Sequence, residues 1–386
     1  QARPLRFGRP LYRRIQHRGR NSSVMLKHFL VPEDDQVLVS ETAAREGTQA
    51  IFEAMGVPPD DAALCTDVLI TSDLRGCESH GISNQLRIYV HQYRNGQVNP
   101  TPDVKTVRES AVSATLDADL GIGLQVGPRA MEMAMDKAEQ FGMGAVGVQR
   151  CGHVGMLAYY PLMALERDMI GVCMVSAGGH IQVPTFGSKP LFGTHPIAWA
   201  APAGNHPPFV FDVATTQVAA NKIGLTRRIG SKLEPGWITD LNGEPITERV
   251  HAPAYGKFFM PSFGGTRENG SHKGYGFAMI ADIMSGILSG NGPGFMAPGN
   301  ELSQFVMAFK IDAFVELSEF KRDMDALIDK IVNMEPAPGH ERVYYAGLIE
   351  HEEAEKRRAE GIPYHREVVD WFNGASAELN LNLRWP

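Results

Sequence analysis

The 386-residue chain is long enough for more than one lobe, because single cores stop growing efficiently at roughly 250–300 residues; its 43% hydrophobic and 21% charged content, with 40 glycines and 25 prolines, is that of a globular protein. A formal charge of −7 excludes the large positive field that nucleic acid or an anionic membrane surface demands, which leaves small molecules as the expected partners. No run approaches the roughly 18 consecutive apolar residues of a membrane span, and four cysteines without a C-x-x-C pair (Cys65, Cys77, Cys151 and Cys173) suit reduced thiols in a reducing compartment.

The first 24 residues carry Arg3, Arg6, Arg9, Arg13, Arg14, Arg18 and Arg20 and no acid. Such a stretch resembles the remnant of an organellar transit peptide, the other reading being upstream sequence ahead of a start at Met25. A cytoplasmic protein is expected, or an organellar-matrix one if the leader is a transit peptide. Residues 1–35 are set apart as a leader or flexible extension.

Residues 36–100 predict a helical unit. One helix starts at Ser40-Glu41 and stops at Gly56 before Pro58-Pro59, a second runs from Asp60-Asp61 to Arg75-Gly76, and a third runs from Ser79 to Gly96. Residues 101–312 predict a mixed unit. Short strands are expected at Val104–Val107 and Ala114–Asp117, a helix opened by Pro128 and closed by Gly142, a buried strand at Met143–Val148, a helix within Met156–Arg167, and strands at Met169–Val175 and Phe209–Asp212. An apolar helix spans Lys273–Leu288 and a strand Phe305–Ile311. Residues 313–386 add helices at Val315–Met334, Glu350–Glu360 and Val368–Leu379, the middle one a charge run that reads as a solvated face.

No dinucleotide fingerprint is present. Gly121-Ile122-Gly123-Leu124-Gln125-Val126-Gly127 has one residue too many between its second and third glycines and reads as a turn. Walker A, G-x-S-x-G and H-E-x-x-H patterns are also missing, which removes the usual support for phosphoryl transfer, elbow-type hydrolysis and zincin chemistry. His351-Glu352-Glu353 reads as surface helix, and no metal is expected. What remains is a set of glycine-flanked histidines. Gly152-His153-Val154-Gly155 places an imidazole between a strand end and a helix, where sites gather. Ser79-His80-Gly81 sits between two helices, and Gly193-Thr194-His195-Pro196 in a turn.

Taken in order, Ser72-Asp73-Leu74-Arg75-Gly76, Ser79-His80-Gly81, Gly152-His153-Val154-Gly155, Val183-Pro184-Thr185-Phe186-Gly187, Gly193-Thr194-His195-Pro196-Ile197-Ala198, Phe211-Asp212-Val213-Ala214-Thr215-Thr216 and His272-Lys273-Gly274-Tyr275-Gly276 resemble the type-2 malate/L-lactate dehydrogenase family over about residues 36–350. The resemblance implies an α/β fold whose NAD(P)-binding part is non-Rossmann, with a mainly antiparallel central sheet and a helical N-terminal unit serving dimerisation and substrate. The C-terminal unit is expected to pack back on the first. It further implies a homodimer, NAD or NADP as cofactor, His153 as acid/base, and Ser79 and His80 facing substrate and nicotinamide. The cofactor would lie along Thr194, His195, Asp212, Val213, Ala214, Lys273 and Gly274, with Gly347 closing over it.

Hydride arriving at a carbonyl or imine carbon leaves electron density on oxygen or nitrogen, which a protonated His153 can neutralise and from which, in reverse, the neutral ring can take a proton. The expected reaction is therefore reversible hydride transfer to a small 2-oxo acid, the alternatives being a cyclic imino acid or a non-catalytic cofactor-binding member. Many relatives carry an arginine four residues after the Ser-His-Gly histidine. Here that position is Asn84, and Arg87, one turn on, is the nearest arginine that could take over the substrate carboxylate, the other reading being a surface or dimer salt bridge.

Overall fold

The computed structural model describes residues 30–298 and 301–386, so the Arg-rich leader lies outside the described residues. Strand β1 (Gln36–Val39) leads to Ser40, whose hydroxyl accepts from the Ala43 N–H and caps α1 (Glu41–Ala54). Helix α2 (Pro59–Leu74) opens on a proline and is buried on almost every side. A turn through Ser79–Gly81 then delivers α3 (Ile82–Arg94). The chain continues with β2 (Lys105–Glu109), β3 (Ser113–Asp117), α4 (Gly123–Phe141), β4 (Met143–Cys151), α5 (Tyr159–Leu165) and β5 (Met169–Ser176). After β6 (Gln182–Val183) come β7 (Ile197–Ala201), β8 (Phe209–Val213), α6 (Ala220–Arg228), β9 (Lys232–Leu233), β10 (Val250–His251), β11 (Met260–Pro261) and α7 (Ser271–Ala281). Strand β12 (Leu302–Lys310), α8 (Leu317–Val332), α9 (Leu348–Glu360), β13 (Ile362–His365) and α10 (Arg366–Glu378) complete it.

Seven strands form the central sheet in the order β2-β3-β4-β12-β5-β7-β8, with β3–β4 parallel and the other pairs antiparallel. Alternation along β4 separates the two layers that cover it. A Cβ at Gly144 would sit 2.1 Å from the Ala134 carbonyl oxygen in α4, whereas one at Gly147 would meet Ser289, just beyond α7, at 3.3 Å. Helices α4 and α5 cover one face and the α7 segment covers the other. The C-terminal stretch divides. Around α8, Ile328 forms a small core with Ala203, Tyr345 and Leu348, while α9 returns to α2 and β13 pairs antiparallel with β1. A further small core, Ile223, Leu233, Trp237, Ile238, Phe258 and Met260, supports α6. Among the described residues no helix is long and apolar enough to cross a membrane.

Four expectations need correction. Helix α4 begins at Gly123 and carries Pro128 inside it, so residues 121–127 are not a turn but the opening of a helix. A Cβ at Gly123 would lie 2.6 Å from Val154 Cγ1, and one at Gly127 2.4 Å from Tyr160 Cε1, so these glycines serve close packing. The Lys273–Leu288 helix is α-helical only to Ala281, after which Asp282–Ile287 widens into a π-helix. The Glu350–Glu360 run is a solvated face only in part, with Glu355, Lys356, Arg358 and Glu360 exposed but Arg357 turned inward. Arg357 is 2% exposed and bonds Glu78, Glu353 and the Asp73 carbonyl. Strand β7 and helix α6 were not anticipated; α6 is weakly amphipathic and buries only Ile223 and Thr226 of its own residues.

Candidate active site

A cavity of about 540 Å³ lies where the α2–α3 turn, the β4–α5 loop, the turn before β7, the end of β8, α6 and the first turn of α9 converge, within the range of roughly 300–1,000 Å³ typical of small-molecule and cofactor sites. The β4–α5 loop carries His153 to its wall. The loop is fixed from below: the Gly123 N–H, first of α4, donates to the His153 carbonyl at 3.0 Å, and the Tyr160 hydroxyl donates to the Val154 carbonyl at 2.6 Å.

The His153 ring is equally constrained. Its Nδ1 accepts from the Gly155 N–H at 3.2 Å and lies 2.6 Å from the Tyr89 hydroxyl. That leaves Nε2 as the nitrogen without a protein hydrogen bond among the described residues. The His80 ring stacks beside it, centroids 5.8 Å apart and planes 11° apart, and Ser79 Oγ lies 2.8 Å from His80 Nδ1. Burial pushes His153 down to about 3, with the His80 charge adding to the effect, and burial alone pushes His80 down to about 4. Both rings are therefore neutral at neutral pH in the free protein.

The turn bearing Ser79 and His80 is held by a buried carboxylate. Asp73 Oδ2 accepts from the Ile82 N–H at 2.9 Å and from the Tyr364 hydroxyl at 2.7 Å. Gly81 is required beside it, since a Cβ there would sit 1.7 Å from Asp73 Oδ1. From α6, Asn221 donates to the Ser79 carbonyl at 2.9 Å, and the Asn84 amide donates to the Asn221 carbonyl at 3.4 Å.

At the α9 end of the cavity stand Arg75, Asp212 and Glu350. Asp212 Oδ2 accepts from the Ala158 N–H at 2.7 Å. Its carboxylate opens on the cavity, yet protein surrounds the opening, and that desolvation pushes it up to about 6. Arg75 is 7% exposed, its Nε is buried without a partner, and it forms no ion pair within 4.0 Å among the described residues. Burial lowers its affinity for the proton below the usual guanidinium range. Cys77 nearby is pushed up to about 12 by burial and stays a thiol.

Of the residues singled out in the sequence, the structure brings Ser79, His80, His153, Thr194, Asp212 and Ala214 to this cavity. It does not bring Arg87, His195, Val213, Lys273, Gly274 or Gly347. Arg87 turns away: it pairs with Glu367 of α10 at 2.6 Å and lies over the Trp371 ring, 5.2 Å from its centroid. His195 is 1% exposed behind the wall, its Nε2 3.4 Å from Asp282 Oδ1. Lys273 is exposed on α7, and Gly274 is pressed on Phe263, where a Cβ would lie 2.2 Å from the carbonyl oxygen. Gly347 packs on Val210 at positive φ and starts α9. Sequence reasoning passed over Tyr89, which lies three residues after Leu86 and four before Tyr93 on the apolar face of α3, and over Arg75, which stood inside a quoted motif without a role. Asn221 and Glu350 gave no local signal.

The sequence profile described as malate/L-lactate dehydrogenase matches residues 39–373. Malate dehydrogenase from Pyrococcus abyssi is 38% identical over 336 residues, 86% of this chain and 92% of that protein. Ureidoglycolate dehydrogenase (NAD(+)) from Escherichia coli is 30% identical over 325 residues, 82% of this chain and 88% of that one. The solved structure of malate dehydrogenase from Pyrococcus horikoshii superposes with a TM-score of 0.83 at 31% identity, covering 92% of this chain and 99% of that one. The mainly antiparallel sheet, the histidine-lined cavity and these matches agree, and the chain belongs to the malate/L-lactate dehydrogenase family.

Proposed function

We propose that the protein is an NAD(P)-dependent oxidoreductase that interconverts a small 2-hydroxy acid and its 2-oxo acid, with His153 moving the proton. The observation that carries the reading is the His153 ring, held at the cavity wall by Gly155 and Tyr89 with Nε2 free of hydrogen-bond partners among the described residues. A bound nicotinamide cofactor would supply the hydride, or receive it. The chain's own part is the proton. In reduction, the ring protonated under the influence of substrate negative charge gives its Nε2 proton to the developing alkoxide oxygen and is left neutral, with Nδ1–H donating to the Tyr89 oxygen. In oxidation, that neutral tautomer takes the hydroxyl proton of a 2-hydroxy acid on its Nε2 lone pair. In the other neutral tautomer the Tyr89 hydroxyl donates to Nδ1, and Nε2 already carries its proton. Burial of His80 and His153 keeps the imidazolium a minor form until substrate negative charge arrives beside it.

His80 and Ser79 would face the substrate, and Thr194, Asp212 and Ala214 the cofactor. In this reading residues 36–100 serve substrate and share dimerisation with the outer face of α7, residues 101–312 serve cofactor and catalysis, and residues 313–386 brace the first unit. A homodimer is supported by the outer surface of α7 and its π-helical continuation, where Phe277, Met279, Ile280, Ile283, Ile287 and Leu288 are all exposed in the single chain. His153→Ala is the decisive variant. Turnover of NADH or NADPH with a panel of 2-oxo acids falls about 10²–10⁴-fold, the usual weight of a positioned acid/base, while cofactor affinity by fluorescence titration holds. A variant that keeps full turnover removes His153 from the chemistry.

A further inference from the structure

The α9 end of the cavity poses a problem that the proton chemistry does not solve. A buried guanidinium is costly unless paired and hydrogen-bonded, and the other deeply buried arginine among the described residues obeys the rule, Arg357 taking Glu78, Glu353 and the Asp73 carbonyl. Arg75, at the C-terminal end of α2, does not: its Nε is buried without a partner among the described residues. Yet Asp212 lines the same cavity, and the two charges act on one another without an approach inside 4.0 Å. One Asp212 oxygen is bound by the Ala158 N–H, and the carboxylate is open to the cavity. A guanidinium donor and a carboxylate acceptor thus face a shared space that a third group can bridge.

The charges at this end choose the group. Besides Asp212, the Glu350 carboxylate lies in the field of Arg75, and a second cation that acts on it, Arg358, is exposed and faces Glu41. Two carboxylates beside one guanidinium are a poor receptor for an oxyanion. They suit a neutral group that accepts on one side and donates on the other, and a primary carboxamide has that pattern. Resting on the cofactor reading above, we infer that Arg75 and Asp212 clamp the carboxamide of the nicotinamide ring, Arg75 donating to its carbonyl oxygen and Asp212 accepting from its NH2. The clamp would fix rotation of the ring about its bond to the ribose, and with it which face of the ring is presented towards the substrate.

The test is binding, measured by isothermal titration calorimetry on the intact chain, using whichever of NADH and NADPH binds and its reduced 3-acetylpyridine analogue, which keeps the carbonyl but has methyl in place of NH2. The wild-type chain binds the natural cofactor about 10-fold or more tightly than the analogue, since a hydrogen bond to a charged group is lost. Asp212→Ala binds the two alike. Arg75→Met weakens both about 10-fold and keeps the discrimination. Equal wild-type affinities for the two overturn the clamp without recourse to any variant, while leaving the cofactor reading intact. Arg75→Met that leaves cofactor affinity unchanged and raises only the substrate KM also overturns it, placing a substrate carboxylate on Arg75. Failure of both NADH and NADPH to bind is a different outcome, because it removes the cofactor reading on which the clamp rests.

Discussion

Tyr89 and His153 come from elements 64 residues apart, and their contact decides which nitrogen faces the cavity. Removing the hydroxyl leaves Nδ1 with the Gly155 N–H alone, which favours the tautomer whose Nε2 already carries a proton. The ring then accepts a hydroxyl proton less readily, although cofactor and substrate lose no contact. Tyr89→Phe is expected to lower kcat for hydroxy-acid oxidation about tenfold, the weight of one hydrogen bond of about 1–1.5 kcal/mol, with both KM values unchanged. Unchanged kcat, or a loss confined to KM, rules out this positioning role. His153 itself was legible in the sequence because a histidine between glycines at a strand end is a local pattern. Tyr89 was not, because its apolar flanks mark it as core, and only the crossing of α3 over the β4–α5 loop turns a core tyrosine into a partner for the histidine.

At the scale of elements, Arg87 illustrates how far helical spacing carries. Positions 84 and 87 lie one turn apart on α3, as expected, but α10 supplies Glu367 and Trp371 on that side and draws the guanidinium away from the cavity. Arg87→Met should therefore leave substrate and cofactor KM unchanged. Because both partners are nearly half exposed, its cost in urea unfolding is about 0–1 kcal/mol; a substantial rise in substrate KM would return Arg87 to the site. The tie between α2, α3 and β13 at Asp73 has a sharper signature. Burial raises this carboxyl from 3.8 in the unfolded chain to about 7, so between those values the folded chain holds the proton and the unfolded chain has lost it. The stabilisation that proton gives is fully present below pH 3.8 and drains away as pH rises through about 7. Asp73→Asn removes that dependence, and unfolding free energies measured from pH 4 to pH 7 should fall less steeply than in the wild type; an unchanged slope refutes the assignment. Strands and helices with strong periodicity, such as β4, β5 and α8, were readable in the sequence. The π-helix and α6 were not, because their geometry is set by the sheet and by the small Trp237 core rather than by their own pattern.

For the molecule as a whole, the α7 segment raises the question of what its large side chains do. The sequence offered Phe277, Ile280, Ala281, Met284 and Ile287 as the apolar pattern of this helix, and of these only Ala281 is buried. The small residues Ala278, Ala281, Ser285 and Gly286 are the buried ones, and the large apolar residues are exposed. The geometry explains the choice. A Cβ at Gly286 would lie 2.5 Å from the Gly292 carbonyl oxygen of the following turn and 3.1 Å from Ser176 Oγ at the end of β5, so a bulky residue has no room there. The outer face is apolar and uncovered in the single chain, and in the dimer proposed above a second copy would cover it by two-fold symmetry, each α7 segment facing the same surface of its partner. Ile283→Glu places a charge in the centre of that face. Its burial in a dimer, with no partner charge, costs enough to dissociate it, whereas in a monomer it is solvated and harmless. Sedimentation velocity is expected to give a dimer for the wild type and a monomer for Ile283→Glu, with the circular dichroism spectrum preserved. A wild-type chain that sediments as a monomer at assay concentration, or a variant that remains dimeric, means that this face is not the dimer interface.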